Sequence, residues 1–257
     1  MPFDRALALA GLLVGFMVGM TGMGGGALMT PILVLFFKVD ALAAVGSDLV
    51  VSLFMKPVGA AVHLRRGTVR RDIAVWLVVG SVPAAFLGSL VPRLVGAEQI
   101  EPLLKEAIGI ALLASAGSMI LRARFSVFGG GGAPGGAGVQ RLPTLAIGAL
   151  GGLLVGITSV GSGSLIIVLL MLVYPRLTSA ELVGTDLIQA IPLVGSAALG
   201  HLLFGNVALG LTSSLLVGAI PGVFVGARIS SSTSGRLVRP ALFVVLLSSG
   251  LKLAQVI

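Results

Sequence analysis

The chain has 257 residues, of which 56% are hydrophobic and 10% charged, and its mean hydropathy is +1.13. Soluble domains carry about 25% charged residues, so a water-soluble globule is excluded, and 38 glycines inside apolar runs without a three-residue period exclude collagen and a disordered chain. Cysteine is absent, which removes disulfides and thiolate chemistry; two histidines and nine scattered carboxylates predict neither a metal site nor a cofactor, and the net charge of +8 sits in short loops, as beside anionic lipid rather than nucleic acid.

Residues 1–15 lack a positively charged leader region and a cleavage site, so they read as the start of a helix and not as a signal peptide. Residues 6–37 contain no Asp, Glu, Lys or Arg. One helix of that length would measure about 48 Å against about 30 Å of hydrocarbon, so the run must break. Gly22, Gly24, Gly25 and Gly26 mark the place. The arms, about 15 and 11 residues long, are each too short to span. Two half-helices meeting near the bilayer midplane is the preferred reading; one spanning helix followed by a loop is the alternative.

Further spans are predicted over 41–64, interrupted by Asp48 and Lys56, then 73–92 and 103–121. Residues 122–141 read as a flexible glycine-rich linker. Residues 142–175 are again uncharged and carry a small-residue cluster, Gly161-Ser162-Gly163-Ser164. Spans follow at 182–204, 207–228 and 238–256.

The chain repeats itself. Residues 19–28 (GMTGMGGGAL) match 156–165 (GITSVGSGSL) at an offset of 137, and Gly46-Ser47-Asp48 matches Gly184-Thr185-Asp186 at 138. His63 and His201, Gly67 and Gly205, and Pro83 and Pro221 keep the second register. Internal repeats in a polytopic protein are a signature of transporters. The predicted organisation is a first membrane repeat at 1–121, the linker at 122–141 and a second repeat at 142–257.

The glycine-rich first segment, the paired Gly-Ser/Thr-Asp motifs and the two halves joined by a variable linker resemble the TauE/SafE family, the sulfite-exporter-like membrane transporters. The resemblance covers essentially the whole chain. It implies export or uptake of sulfite, sulfonates or related organosulfur anions, in a bacterial or archaeal cytoplasmic membrane. Ser159 and Ser162 stand where the first repeat has Gly22 and Gly25, so the halves need not bind alike.

Charge placement sets the expected topology. Eight full spans would leave the basic residues without a sided bias. If each charge-free segment is a re-entrant hairpin, each half has three true spans and the repeats are inverted. Eleven of the 17 basic residues then fall inside, five outside (Arg5, Lys38, Arg93, Lys105 and Lys252), and Lys56 lies within a span. The fold expected is therefore an all-α polytopic membrane protein of two inverted repeats, each a broken hairpin plus three transmembrane helices, with both termini outside.

A break at the midplane exposes backbone N–H groups that need partners, and a half-helix N-terminus suits an anion. The candidate substrate site comprises Thr21, Gly22, Gly24, Gly25 and Gly26 from the first repeat, and Thr158, Ser159, Gly161, Ser162, Gly163 and Ser164 from the second. The alternative is that these glycines serve helix packing. Gln189 is a further polar candidate for the cavity. Asp48 and Asp186 are repeat-equivalent intramembrane carboxylates, either proton carriers or, with Ser47 and Thr185, helix caps. Lys56 could neutralise an anion; snorkelling to an interface is the simpler reading, and Val194 replaces it in the second repeat. His63 and His201 read as interfacial hydrogen-bonding residues.

The function expected is secondary transport of a small anion by alternating access, with protons as candidate coupling ions and the lipid bilayer as the protein's surroundings. No ATP-binding loop of the GxxxxGK[ST] type is present. A passive anion channel is the alternative. An intramembrane hydrolase would have to rely on Ser162 and His201, and is not expected.

Overall fold

The computed structural model describes residues 4–21, 25–128, 138–230 and 238–254. Among these residues the chain forms ten helices and no strand: α1 (Arg5–Thr21), α2 (Gly26–Leu35), α3 (Ala41–Arg65), α4 (Arg71–Val95), α5 (Ala97–Phe128), α6 (Arg141–Thr158), α7 (Leu165–Val173), α8 (Ser179–Leu203), α9 (Leu209–Ser230) and α10 (Val238–Leu253). Six stretches are long and apolar enough to cross a membrane: α3, α4, α6 and α8 over their whole length, Gln99–Leu121 of α5 and Leu209–Ile229 of α9. Large apolar side chains such as Leu9, Leu13, Val75, Leu150 and Val217 are exposed around the bundle, as lipid-facing positions are, while hydroxyls and carboxylates are buried within it.

Two details differ from the sequence expectation. The arm α6 has 18 residues and is span-length by itself, whereas α2 and α7 have only 10 and 9. Helix α5 runs on to Phe128, seven residues into the segment read as linker, because 122–128 carry no glycine or proline to stop it. Residues 129–137 lie outside the described residues.

Tight pairing of α1 with α9, and of α4 with α6, rests on glycines spaced at about four residues along each seam. Along α1, a Cβ at Gly11, Gly15 or Gly19 would strike the carbonyl oxygens of Leu215, Ala219 and Val223; along α9, Gly218, Gly222 and Gly226 face Ala8, Leu12 and Phe16 in the same way. On α6, Gly148, Gly152 and Gly156 abut the carbonyls of Leu77, Ser81 and Ala85. Lipid offers no hydrophobic drive to associate helices, so close backbone contact supplies the attraction instead. Rising residue numbers on one helix meet rising numbers on the other, so both pairs are parallel.

Repeat-equivalent helices α3 and α8 cross in the centre and run antiparallel. Gly46 meets Asn206, Leu53 meets Gly195, Gly59 meets Leu187, and Gly184 meets His63 and Thr68. One end of the bundle gathers Asp4 with Ser214, Ala41 with Glu101, and Ser47 with Ala208. The opposite end gathers Arg70 with Thr185 and Gln140 with Tyr174. Arg5, Lys38, Arg93 and Lys105 therefore sit at the first end, and α10, antiparallel to α5 with Gly250 beside Leu113 and Ala254 beside Gly109, directs Lys252 toward it. Arg65, Arg66, Arg70, Arg71, Arg122, Arg124, Arg141, Arg176, Arg228 and Arg239 sit at the second, the arginine-rich end.

Both charge-free segments turn back. The start of α1 and the end of α2 share the arginine-poor end. The hydroxyl of Tyr174, just past α7, accepts from Gln140 N (2.9 Å) and bonds Thr144 (2.6 Å) at the start of α6. The α6 turn reaches Asp48, which lies about 10 Å inside the start of α3, so even the longer arm stops within the bundle.

Candidate functional site

The two hairpin turns meet on α3. Gly25 begins α2 against Met55 and Ser52, where a Cβ would lie 2.6 and 2.9 Å away, and Gly26 abuts the backbone carbonyl of Ser159. The space beside Gly25 is thus filled by α3 of its own repeat, and that beside Gly26 by the opposite repeat. Gly22 and Gly24 lie outside the described residues. In the second hairpin Ser159 ends α6 in the left-handed conformation (φ 60°), and Gly161 and Gly163 have φ of 122° and 94°, values that favour residues without a Cβ.

Asp48 sits fully buried on α3, eight residues from Lys56, with Ser52 midway between them on the same face. Its carboxylate accepts from three hydroxyls on three segments: Thr30 of α2 (3.2 Å), Ser52 of α3 (3.4 Å) and Ser159 of the second hairpin. These donors replace the water that a buried carboxylate would otherwise need. Asp48 lies inside a continuous helix and caps nothing. The capping is done by its neighbour Ser47, whose hydroxyl accepts from Ala208 N (3.3 Å) ahead of α9, while Thr185 accepts from Arg70 N (3.0 Å) ahead of α4.

Lys56 is the one buried basic side chain among the described residues, and it does not snorkel. Its ammonium donates to Ser162 Oγ at 2.9 Å, across the two repeats. The alkyl stem could reach an interface, but the buried acceptor holds the charge in the interior, where it also interacts electrostatically with Asp48 and Asp186. Asp186 occupies the equivalent position on α8 with different company: Gln189 Nε2 donates to its carboxylate (3.0 Å), and Ser81 of α4 donates to Gln189 Oε1 (3.2 Å).

Other candidates point elsewhere. The hydroxyls of Thr21 and Thr158 donate to the carbonyls of Met17 and Leu154, each at 2.7 Å, closing the last turns of their own helices. Ser164 bonds Ser115 of α5 (2.9 Å). Neither α2 nor α7 has a side-chain cap at its start. His201 is buried rather than interfacial: its Nε2 donates to the Gly156 carbonyl (2.9 Å), and Ser162 is bonded to Lys56 instead. Thr30, Ser52, Ser81 and Ser115 belong to the site and were not singled out from the sequence. The one available signal was the four-residue spacing of Asp48, Ser52 and Lys56.

At the arginine-poor end, beside the α8–α9 turn, lies a crevice of about 560 Å³ lined by Leu42, Arg93, Phe204 and Asn206 among others. The Arg93 guanidinium lies 5.5 Å from the centre of the Phe204 ring.

Residues 7–253 match the family described as sulfite exporter TauE/SafE. The chain is similar to the "Probable membrane transporter protein YjnA" of Bacillus subtilis (strain 168), with 34% identity over 96% of this chain and 98% of that protein. It is also similar to the "Probable membrane transporter protein YdhB" of the same organism, with 26% identity over the same shares. No solved structure matches.

Proposed function

The chain belongs to the sulfite exporter TauE/SafE family and is a multi-pass membrane transporter, and from that footing we propose that it carries a small organosulfur anion such as sulfite or a sulfonate by alternating access. The anion binds between the two hairpin turns. One observation carries this reading: Lys56, a cation held inside an apolar bundle, is bonded to Ser162 at the tip of the opposite hairpin. A charge in a membrane interior is costly and marks a functional ionic site. An entering anion takes Ser162 as one donor and the Lys56 ammonium as its counter-charge, with the uncapped starts of α2 and α7 adding a positive field.

The two Asp residues outnumber the single Lys, so admitting an anion calls for protons to neutralise the site; Asp186 and Asp48 are the candidate carriers. The antiparallel course of α3 and α8 supports two inverted repeats, and the arginine-rich end supports a cytoplasmic placement of that face. Contact between Gly26 and Ser159 supports a closed carrier over an open channel.

Proteoliposome counterflow tests the proposal. Saturable exchange of labelled sulfite, competed by alkylsulfonates, is expected. Single-channel currents without saturable exchange would point to the pore instead.

A further inference from the structure

The Gly-Ser/Thr-Asp motifs do more than place an acid. At the arginine-poor end, the turn after α8 folds back through Gly205 (φ 76°), Asn206 N donates to the His201 carbonyl (2.9 Å) and Asn206 Nδ2 lies 3.3 Å from His201 Nδ1. That turn docks on the start of α3. The Asn206 carbonyl reaches to 2.5 Å of where a Cβ on Gly46 would be, and Ala208 N donates to Ser47 Oγ at 3.3 Å.

At the arginine-rich end the same parts recur at an offset of 138. Gly67 turns with φ 65°, Thr68 N donates to the His63 carbonyl (3.2 Å) and the Thr68 hydroxyl lies 2.9 Å from His63 Nδ1. The Thr68 carbonyl sits 2.8 Å from a Cβ position on Gly184, and Arg70 N donates to Thr185 Oγ1 at 3.0 Å. Each motif thus lends its glycine as a seat, its hydroxyl as a catch for the first N–H of the other repeat's fourth helix, and its acid to the centre.

We propose that these are the two gates of the transport cycle: Gly46 and Ser47 with Asn206 and Ala208 close the arginine-poor face, and Gly184 and Thr185 with Thr68 and Arg70 close the arginine-rich face. The inference rests on the alternating-access reading. In the structure both turns are seated on their glycines and both catches are made. Opening one face requires one turn to leave its glycine seat while the other stays. Each catch is a single hydrogen bond to a neutral hydroxyl, worth about 0.5–1.5 kcal/mol, small enough to exchange during a cycle. A crevice lined in part by Leu42, Phe204 and Asn206 adjoins the first gate.

Side-resolved labelling tests this without needing a substrate, so its failure is separable from a failure of the transport reading. The native chain contains no cysteine, so Ser162→Cys is a lone reporter between the gates. Its reaction with a membrane-impermeant trimethylammonium methanethiosulfonate is followed from each face in vesicles of both orientations. Ser47→Ala is expected to speed labelling several-fold from the arginine-poor face only, and Thr185→Val from the arginine-rich face only. Gly46→Leu and Gly184→Leu, which unseat the turns sterically, are expected to do the same more strongly. Acceleration from the same face by variants at both ends, or no acceleration by any of the four, would overturn the assignment.

Discussion

The ammonium of Lys56 and the hydroxyl of Ser162 lie 2.9 Å apart, and this bond ties α3 of the first repeat to the hairpin turn of the second. Ser162→Ala removes the hydroxyl while leaving the cation. The expected outcome is weaker anion binding, about ten-fold in half-saturation and equivalent to ~1.4 kcal/mol, with a smaller loss in maximal rate. Initial rates of sulfite uptake into proteoliposomes across a concentration series check it.

The acids should separate by role. Asp186→Asn is permanently neutral, so it should keep sulfite counterflow and lose the acceleration that an imposed pH gradient gives. Asp48→Asn leaves one carbonyl acceptor facing the hydroxyls of Thr30, Ser52 and Ser159, and should cost about 1–3 kcal/mol of stability. Flux with and without a pH gradient, together with thermal unfolding in detergent, distinguishes the two.

The small-residue seams should be intolerant of any side chain. A Cβ at Gly152 would meet the Ser81 carbonyl. Gly152→Val should therefore force α6 from α4 and destabilise by about 1–3 kcal/mol or more, read as a lowered Tm. Gly117, which has open space around it, should accept alanine without loss.

Much of this architecture was legible in the sequence because lipid imposes a length rule. An uncharged run of about 48 Å cannot be one span, and the small-residue clusters at 22–26 and 161–164 marked where each run would turn. Duplication was legible because the rare residues His63 and His201, and Asp48 and Asp186, keep one register. The polar partners were not. Thr30 and Ser81 are hydroxyls in apolar helices, and they meet Asp48 and Gln189 across 18 and 108 positions; no periodicity marks such pairs. Lys56 misled for a related reason: its stem permits snorkelling, and only the fold reveals that Ser162 waits in the interior. The hydroxyls of Thr21 and Thr158 each donate to a carbonyl one turn back, and Thr158 also accepts from Val160 N in the hairpin turn (3.1 Å).

Topology follows from the charge segregation between the two ends. Reporter fusions placed before Asp4 and after Leu253 should both report the outer side, and one inserted at Gly67 the cytoplasm. Fusions at Asp4 and Gly67 reporting the same side would contradict the hairpin fold.

The central claim is that an organosulfur anion binds at Lys56 between the hairpin turns. The most direct measurement is saturable sulfite flux in proteoliposomes carrying the native protein and Lys56→Met in parallel, with monodispersity in detergent confirming that both fold. The expected result is saturable flux in the native protein and its loss in the folded variant. Undiminished flux in Lys56→Met, or no saturable flux of sulfite or any sulfonate in the native protein, would contradict it.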